Sequence, residues 1–364
     1  MIEFKLLCTF CGKRLRADLV TLTCPNCAHP LEVEYQNHDH ADLMPPMPLD
    51  RQFLNAVTLG EGNTPIVGLP SIGAKLGLMS LSAKLEYLNP TGSFKDRGTV
   101  IVIAAALQHG IQEVVEDSSG NAGASVSAYA GRAGIKAHIF APSSAPEAKL
   151  RQIKAYGAEV HSVEGPREAT TAAAVAYYLQ RGLVYASHVM SPYFVEGTKI
   201  FAYEIFEQSE GDLPTHIVMP VGNGSLLLGA LKGFSELKSG GHITKIPQLH
   251  AVQAESVMPI VGAVHGRHAS PTKGTVAGGI AVGSPARLDE IVRAIKTTGG
   301  TVTAVSDTDI LTWRDTLAQT EGVYGEPTSA AAFAGLARLV EQGTIRPNER
   351  VLVPITGFGL KDVQ

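Results

Sequence analysis

The chain has 364 residues, of which 45% are hydrophobic and 18% charged, with a formal net charge of −4. That balance describes a globular protein with ample core, long enough for two domains and a small extra module. It leaves no basic footprint for nucleic acid, and no apolar stretch is long enough to span a bilayer.

The first residues, Met1-Ile2-Glu3-Phe4-Lys5, lack the basic end and cleavage site of a signal peptide, so a cytoplasmic protein is expected. All four cysteines follow shortly, as Cys8-x2-Cys11 and Cys24-x2-Cys27. Each knuckle places two thiolates on one side of a tight turn, and two knuckles close a tetrahedral four-sulfur shell, the pattern of a structural zinc ribbon. Two disulfides, or free thiols without metal, are the alternatives; the expected compartment favours zinc. Four cysteine ligands leave no coordination position open for catalysis. Residues 1–35 are therefore read as a zinc ribbon-like module with strands at 21–23 and 31–35. Residues 36–50 carry His38, Asp39, His40 and a Met-Pro-Pro-Met-Pro run, which reads as a polar linker and proline-rich spacer rather than a second metal site.

From residue 80 onward short apolar runs alternate with helical ones. Strands are predicted at 80–85, 113–116, 137–141, 159–163 and 184–186. Helices are predicted after Ser93, the expected N-cap, and at 122–132, 147–156 and 168–179. A second series follows residue 197, with strands at 217–221, 248–253, 300–305 and 351–355 and a helix at 226–234. Such alternation specifies parallel α/β sheets.

Four loops in this frame carry chemistry. Lys95 falls in the first turn of its helix, where the dipole disfavours a cation and an amine is kept ready to attack a carbonyl. On spacing alone an exposed lysine at a helix start is the favoured reading. Ser118-Ser119-Gly120-Asn121 follows a strand and opens a helix, an arrangement that attracts anions and also serves simple N-capping. Gly222-Asn223-Gly224-Ser225 has the same placement; its glycines permit close approach of a phosphate, or make a tight turn, and without a lysine it does not fit a nucleoside triphosphate. Thr356 ends an apolar strand, where ligands of open α/β sheets bind, and could equally cap the following glycine turn.

The segment Asn89-Pro90-Thr91-Gly92-Ser93-Phe94-Lys95-Asp96-Arg97-Gly98 resembles the Schiff-base lysine segment of the fold type II pyridoxal-phosphate enzymes, and most closely that of the threonine synthases. The resemblance takes in Gly60-Glu61-Gly62-Asn63-Thr64-Pro65, the 118–121 and 221–225 loops, and Thr356-Gly357-Phe358-Gly359-Leu360-Lys361-Asp362. It implies an α/β fold with two parallel-sheet domains of the fold type II kind. The small domain would span 86–185 and the large one 186–364, with 36–85 as linker and start of the large domain, and the site in the cleft between. Lys95 would hold pyridoxal 5'-phosphate and, once displaced, remove the α-proton. Asn121 would bond the cofactor's phenolic oxygen. Ser118, Ser119, Gly120, Asn121 and Ala122 would grip the carboxylate of a small-molecule amino-acid substrate. Gly222, Asn223, Gly224, Ser225 and Leu226 would cup the cofactor phosphate, and Thr356 would face the pyridine nitrogen. A hydroxyl there makes a milder electron sink, suited to elimination and replacement. The family expectation is a homodimer.

The threonine synthase reaction converts O-phosphohomoserine and water to threonine and phosphate. A serine or threonine dehydratase, or a β-replacement enzyme of the cysteine synthase type, would keep the cofactor with another substrate. An inactive binding protein is a third reading, against which stand the intact Lys95, Asn121, glycine loop and Thr356. Two departures bear on the substrate. Threonine synthases carry an arginine in a segment resembling Asn-Pro-x-Arg-x-Glu-Gly; here it reads Ser191-Pro192-Tyr193-Phe194-Val195-Glu196-Gly197, with Phe194 at the arginine position. Ala122 stands where they carry a threonine. The segment Ala277-Gly278-Gly279-Ile280-Ala281 is nearer the dehydratase pattern, without its acidic residue. Unless Lys199, Arg287 or Lys361 substitutes for the missing donors, these changes predict poor use of O-phosphohomoserine and better use of a β-substituted amino acid with a smaller or less charged leaving group.

Overall fold

The computed structural model describes residues 2–36, 38–165, 167–267 and 274–361, so Asp362 of the last motif lies outside the described residues. The chain forms two compact units, 1–61 with 89–200, and 62–88 with 201–364.

The first unit opens on three short antiparallel strands, ordered Arg14–Leu15, Phe4–Leu7, Glu32–Tyr35. Leu6, Leu31 and Val33 bury a small core beside Cys8 and Cys24. Residues 21–23 do not form the predicted strand; only Thr23 bridges, to Pro30. The carboxylate of Asp18 captures the N–H groups of Val20 and Thr21 and the Thr21 hydroxyl, and such local bonds compete with a ladder.

Beyond it lie four parallel strands ordered Glu159–Val163, Lys136–Pro142, Glu113–Glu116, Val184–Tyr185. Helices Asn121–Ala133, Glu147–Ala155 and Arg167–Arg181 make the crossovers that parallel pairing requires. Helix Lys95–Gln108 is buried without a break from Asp96 to Ala106, as an all-round apolar helix must be. It packs on a short helix, Pro192–Thr198, at two glycines. A Cβ on Gly197 would lie 1.8 Å from the carbonyl oxygen of Arg97, and one on Gly98 would lie 2.5 Å from the Phe194 ring. This backbone-to-backbone contact is why residues 186–200 group with the first unit rather than with the residues that follow.

The second unit is built on six strands ordered Val302–Val305, Gln248–Ala254, His216–Pro220, Arg350–Pro354, Ser80–Lys84, Ile66–Gly68. All pair in parallel except the last. Helix Pro327–Glu341 buries one face against this sheet through Ala330, Ala331, Ala334 and Leu336. Small side chains there let helix and strand approach: a Cβ on Gly335 would lie 2.2 Å from Val252. Strands His216–Pro220 and Arg350–Pro354 are parallel neighbours, so the loops that follow them, 221–224 and 355–358, leave the same end of the sheet. No helix among the described residues is long and apolar enough to cross a membrane.

Candidate active site

Lys95 is the first residue of its helix, and the N-cap is Phe94, not Ser93. The Ser93 hydroxyl is buried and makes no hydrogen bond. Tertiary bonds to the neighbouring Asp96 shape this turn instead. The Asp96 carboxylate accepts from the Thr91 N–H at 2.7 Å, the Thr91 hydroxyl at 2.6 Å and the Ser125 hydroxyl at 2.6 Å. Three donors on one buried carboxylate tie the lysine turn to helix Asn121–Ala133, and Gln152 adds a bond to the Thr91 carbonyl at 3.1 Å. The Lys95 Nζ lies 4.5 Å from the Phe94 ring centroid and 5.6 Å from that of Phe194, within cation–π range.

Ser118, Ser119, Gly120 and Asn121 are half-buried at the start of helix Asn121–Ala133, and Ala122 is buried. The Gly120 N–H donates to the Ser118 hydroxyl at 3.3 Å. Gly123 lies beneath the loop: a Cβ there would fall 1.8 Å from the Ser118 carbonyl oxygen. The loop thus folds back over a helix start whose N-cap, Gly120, offers no side-chain cap. First-turn N–H groups of this kind are anion donors. The base of the loop is fixed by Asp117, which accepts from Tyr185 at 2.7 Å and Thr171 at 2.5 Å.

Two groups in this unit escaped the sequence reading. Glu116 Oε1 lies 2.7 Å from His188 Nδ1, both residues buried. Burial, and then the neighbouring Asp117, push the Glu116 carboxyl well above the usual carboxylate range. Burial, and then the cations of Lys95 and Arg167, push His188 well below its ordinary value. The His188 ring meets Phe194 edge-on, centroids 6.2 Å apart, so Phe194 stands between this pair and the lysine amine in the contact series.

In the second unit, residues Gly222, Asn223, Gly224, Ser225 and Leu226 connect strand His216–Pro220 to helix Ser225–Ser239. Gly222 is pressed against the backbone of residues 279–280, where a Cβ would lie 3.0 Å from the Ile280 Cα. Gly224 has φ +75°, and a Cβ on it would strike Ile291 at 2.5 Å. Only glycine tolerates both conditions, and the result is a bare backbone cradle at a helix N-terminus. That is the donor set a phosphate needs, so the residues fit the phosphate end of pyridoxal phosphate. Thr356 follows strand Arg350–Pro354, with its hydroxyl 3.0 Å from the Ser329 hydroxyl and 3.5 Å from Glu326 Oε1. Gly357 leaves room for that carboxylate, which a Cβ would meet at 2.4 Å. Ser329 and Glu326 lie 27 and 30 residues from Thr356 in sequence, and no spacing rule connects them. The Glu326-Pro327 helix start was the available signal.

The four cysteines converge. Cys8 and Cys27 Sγ are 3.5 Å apart, as are Cys11 and Cys24, all four sulfurs lie within 4.8 Å of one another, and all are free thiols. The disulfide alternative is thereby set aside. Both knuckles share one turn: Gly12 N–H bonds the Cys8 carbonyl and Ala28 N–H that of Cys24, each at 2.8 Å. Gly12 and Ala28 occupy the same left-handed position, with φ +74° and +58°. A residue with a Cβ persists there only where its surroundings over-determine it. Zinc at a Zn–S distance of about 2.3 Å sets sulfurs about 3.8 Å apart, so the donor set fits that ion.

A family model described as pyridoxal-phosphate dependent enzyme matches residues 57–357. A threonine synthase from Methanocaldococcus jannaschii is 33% identical over 98% of this chain and 92% of that protein. One from Methanosarcina acetivorans is 34% identical over 99% and 93%, and one from a Bacillus species 39% identical over 84% and 85%. Among solved structures, maize serine racemase superposes with a TM-score of 0.72 at 24% identity, over 85% of this chain and 92% of that one. The processed form of tomato (Solanum lycopersicum) threonine deaminase isoform 2 gives a TM-score of 0.72 at 19% identity, over 94% and 95%. At those identities the structural likeness speaks for the fold alone.

Proposed function

The chain belongs to the pyridoxal-phosphate dependent enzyme family, and from that premise we propose that it is a threonine synthase-like lyase converting O-phosphohomoserine and water to threonine and phosphate. The observation that carries this reading is the near full-length similarity to proteins named threonine synthase, at 33% identity over 98% of the chain in one case.

When bound, pyridoxal phosphate supplies an electron sink for a carbanion next to the amino-acid carboxylate. The chain's own residues do the rest. The Lys95 amine is the covalent anchor for the cofactor and the base for the substrate α-proton. Its turn is held by the Asp96 carboxylate, so the amine starts each cycle from a fixed backbone position. The helix start at Ser118, Ser119, Gly120, Asn121 and Ala122 holds the substrate carboxylate, and Asn121 also donates to the cofactor's phenolic oxygen. The cradle of Gly222, Asn223, Gly224, Ser225 and Leu226 holds the cofactor phosphate. The Thr356 hydroxyl, oriented by Ser329 and Glu326, meets the pyridine nitrogen. The four-cysteine cluster holds a structural zinc ion, and the assembly is a homodimer.

A second reading keeps the cofactor and changes the substrate, and the side chains beside the lysine favour it. Phe194 is buried against Gly98 with its ring 5.6 Å from Lys95 Nζ, and Ala122 is buried at the carboxylate loop. Neither donates to a dianionic phosphate, which requires cations or several donors when desolvated. Two of the cations that could substitute are already committed. Lys199 is buried 2.7 Å from Glu196, and Arg287 is buried 2.7 Å from Glu290. On this reading the enzyme is a dehydratase or β-replacement enzyme. Steady-state kinetics with O-phosphohomoserine, serine, threonine, O-acetylserine and O-phosphoserine decide. The highest kcat/KM for O-phosphohomoserine, with threonine as product, establishes the first reading; a higher value for a β-substituted amino acid overturns it in favour of the second.

A further inference from the structure

Helix Arg167–Arg181 covers a second cluster of metal-ligating side chains, at the amino-terminal ends of the parallel strands in the first unit. Strand Lys136–Pro142 brings His138 and strand Glu159–Val163 brings Glu159 and His161, with His138 and Glu159 opposite each other in the register. His138 Nδ1 lies 3.0 Å from His161 Nε2 and 3.6 Å from Glu159 Oε2, and His161 Nε2 lies 3.5 Å from Glu159 Oε1. The ligand atoms of the three residues all fall within 4.8 Å of one another. We propose that His138, His161 and Glu159 form a binding site for a first-row divalent cation of the zinc class, separate from the four-cysteine cluster.

The spacing matches what such an ion imposes. Zinc–nitrogen distances of about 2.0–2.1 Å in a tetrahedral shell put neighbouring ligand atoms about 3.3–3.4 Å apart, close to the 3.0 Å between the two imidazole nitrogens and the 3.5 Å between His161 Nε2 and Glu159 Oε1. Two imidazoles and a carboxylate suit zinc, cobalt, nickel or copper and are a poor set for calcium or magnesium. The Tyr177 hydroxyl borders the cluster, 3.3 Å from His138 Nδ1.

The surroundings hold the ligands in place. His138 is buried and its Nε2 lies 2.7 Å from Glu113 Oε2. Donation of that proton to Glu113 leaves the Nδ1 lone pair facing the cluster, the carboxylate–histidine–metal arrangement that raises ligand basicity. His161 is stacked on Phe140, centroids 4.5 Å apart and planes 13° from parallel, so its ring does not turn away freely. Glu159 keeps its bond to Lys136 through Oε2 at 2.8 Å and has Oε1 to offer an ion. The Ser118 loop leaves the opposite, carboxyl end of strand Glu113–Glu116, so an ion here is remote from the carboxylate loop. It would clamp the edge strand Glu159–Val163 to its neighbour.

The test is zinc uptake by the cofactor-loaded enzyme, with bound zinc counted by elemental analysis after titration and gel filtration. The wild type is expected to hold one more zinc ion per chain than His161→Phe, which keeps the stacking on Phe140 and loses the nitrogen. Glu113→Gln, which leaves the three ligands intact, is expected to weaken the additional site by about 10–100-fold. Added zinc should raise the Tm of the wild type and leave that of His161→Phe unmoved. Equal uptake by wild type and His161→Phe, or no zinc beyond that held by the cysteines, overturns the proposal.

Discussion

Glu116 and His188 share a single hydrogen bond of 2.7 Å in the buried layer behind the lysine. Whichever atom carries it, the pair holds one proton in the folded chain, and this fixes how stability responds to pH. Unfolded, the carboxyl titrates near 4.5 and the imidazole near 6.5. Between those values the unfolded pair also holds one proton, so the pair contributes no slope. Stability from His188, with its lowered pKa, is lost as pH falls below 6.5; stability from Glu116, with its raised pKa, is lost as pH rises above 4.5. Removing one partner exposes the other's slope. Relative to wild type, Glu116→Gln should gain a Tm that rises with pH from 4.5 to 6.5, and His188→Gln one that falls. Parallel curves for all three proteins would refute the pairing.

Lys95→Ala should lose turnover by about 10²–10⁴-fold or more, the range for loss of a positioned acid–base group. The glycine cradle is untouched in this variant, so it should still bind pyridoxal phosphate without a covalent link. Borohydride treatment followed by peptide mapping checks this: cofactor is trapped on Lys95 in the wild type and on no residue in the variant.

Phe194→Arg should raise kcat/KM for O-phosphohomoserine. A hydrogen bond to a charged group contributes about 1.5–3 kcal/mol, which corresponds to roughly 10- to 100-fold. Phe194→Leu, which also removes the ring but adds no donor, should give no such gain. If both variants behave alike, the position does not select the leaving group.

Protein purified without added metal should contain one zinc ion per chain held by Cys8, Cys11, Cys24 and Cys27, with Cys11→Ser lowering the content. Hydrogen exchange after chelation should show loss of protection confined to the first three strands and their turns, because metal binding there is coupled to local folding. Unchanged exchange after complete metal removal would contradict a structural role.

The alternation of strands and helices was legible because parallel strands buried on both faces are short continuous apolar runs. Strands Glu113–Glu116 and Glu159–Val163 match their predicted spans. Ser93 was misread because capping preference is local, whereas the turn around it is set by Asp96 reaching Thr91 and Ser125. Helix Pro192–Thr198 has seven residues, two aromatic, all of them buried, and no periodicity to reveal it. Glu116 sits in a run that reads only as a strand, and its partner His188 is 72 residues away. A single sequence places the loops at the strand-to-helix junctions; it does not place the second residue in each buried polar pair.

The contact of Gly98 and Gly197 has a consequence for how this chain can change over generations. Main chain rests on main chain there, so the seating of one helix on the other does not depend on which side chain stands at position 194. Phe194 projects from the same short helix, yet the backbone that carries it is anchored one turn away. Substitutions at that position can therefore accumulate while the backbone of the Lys95 helix stays put. Drift at Gly197 is closed off by the backbone of Arg97 and Gly98, and the freedom to diversify is concentrated at the neighbouring aromatic site.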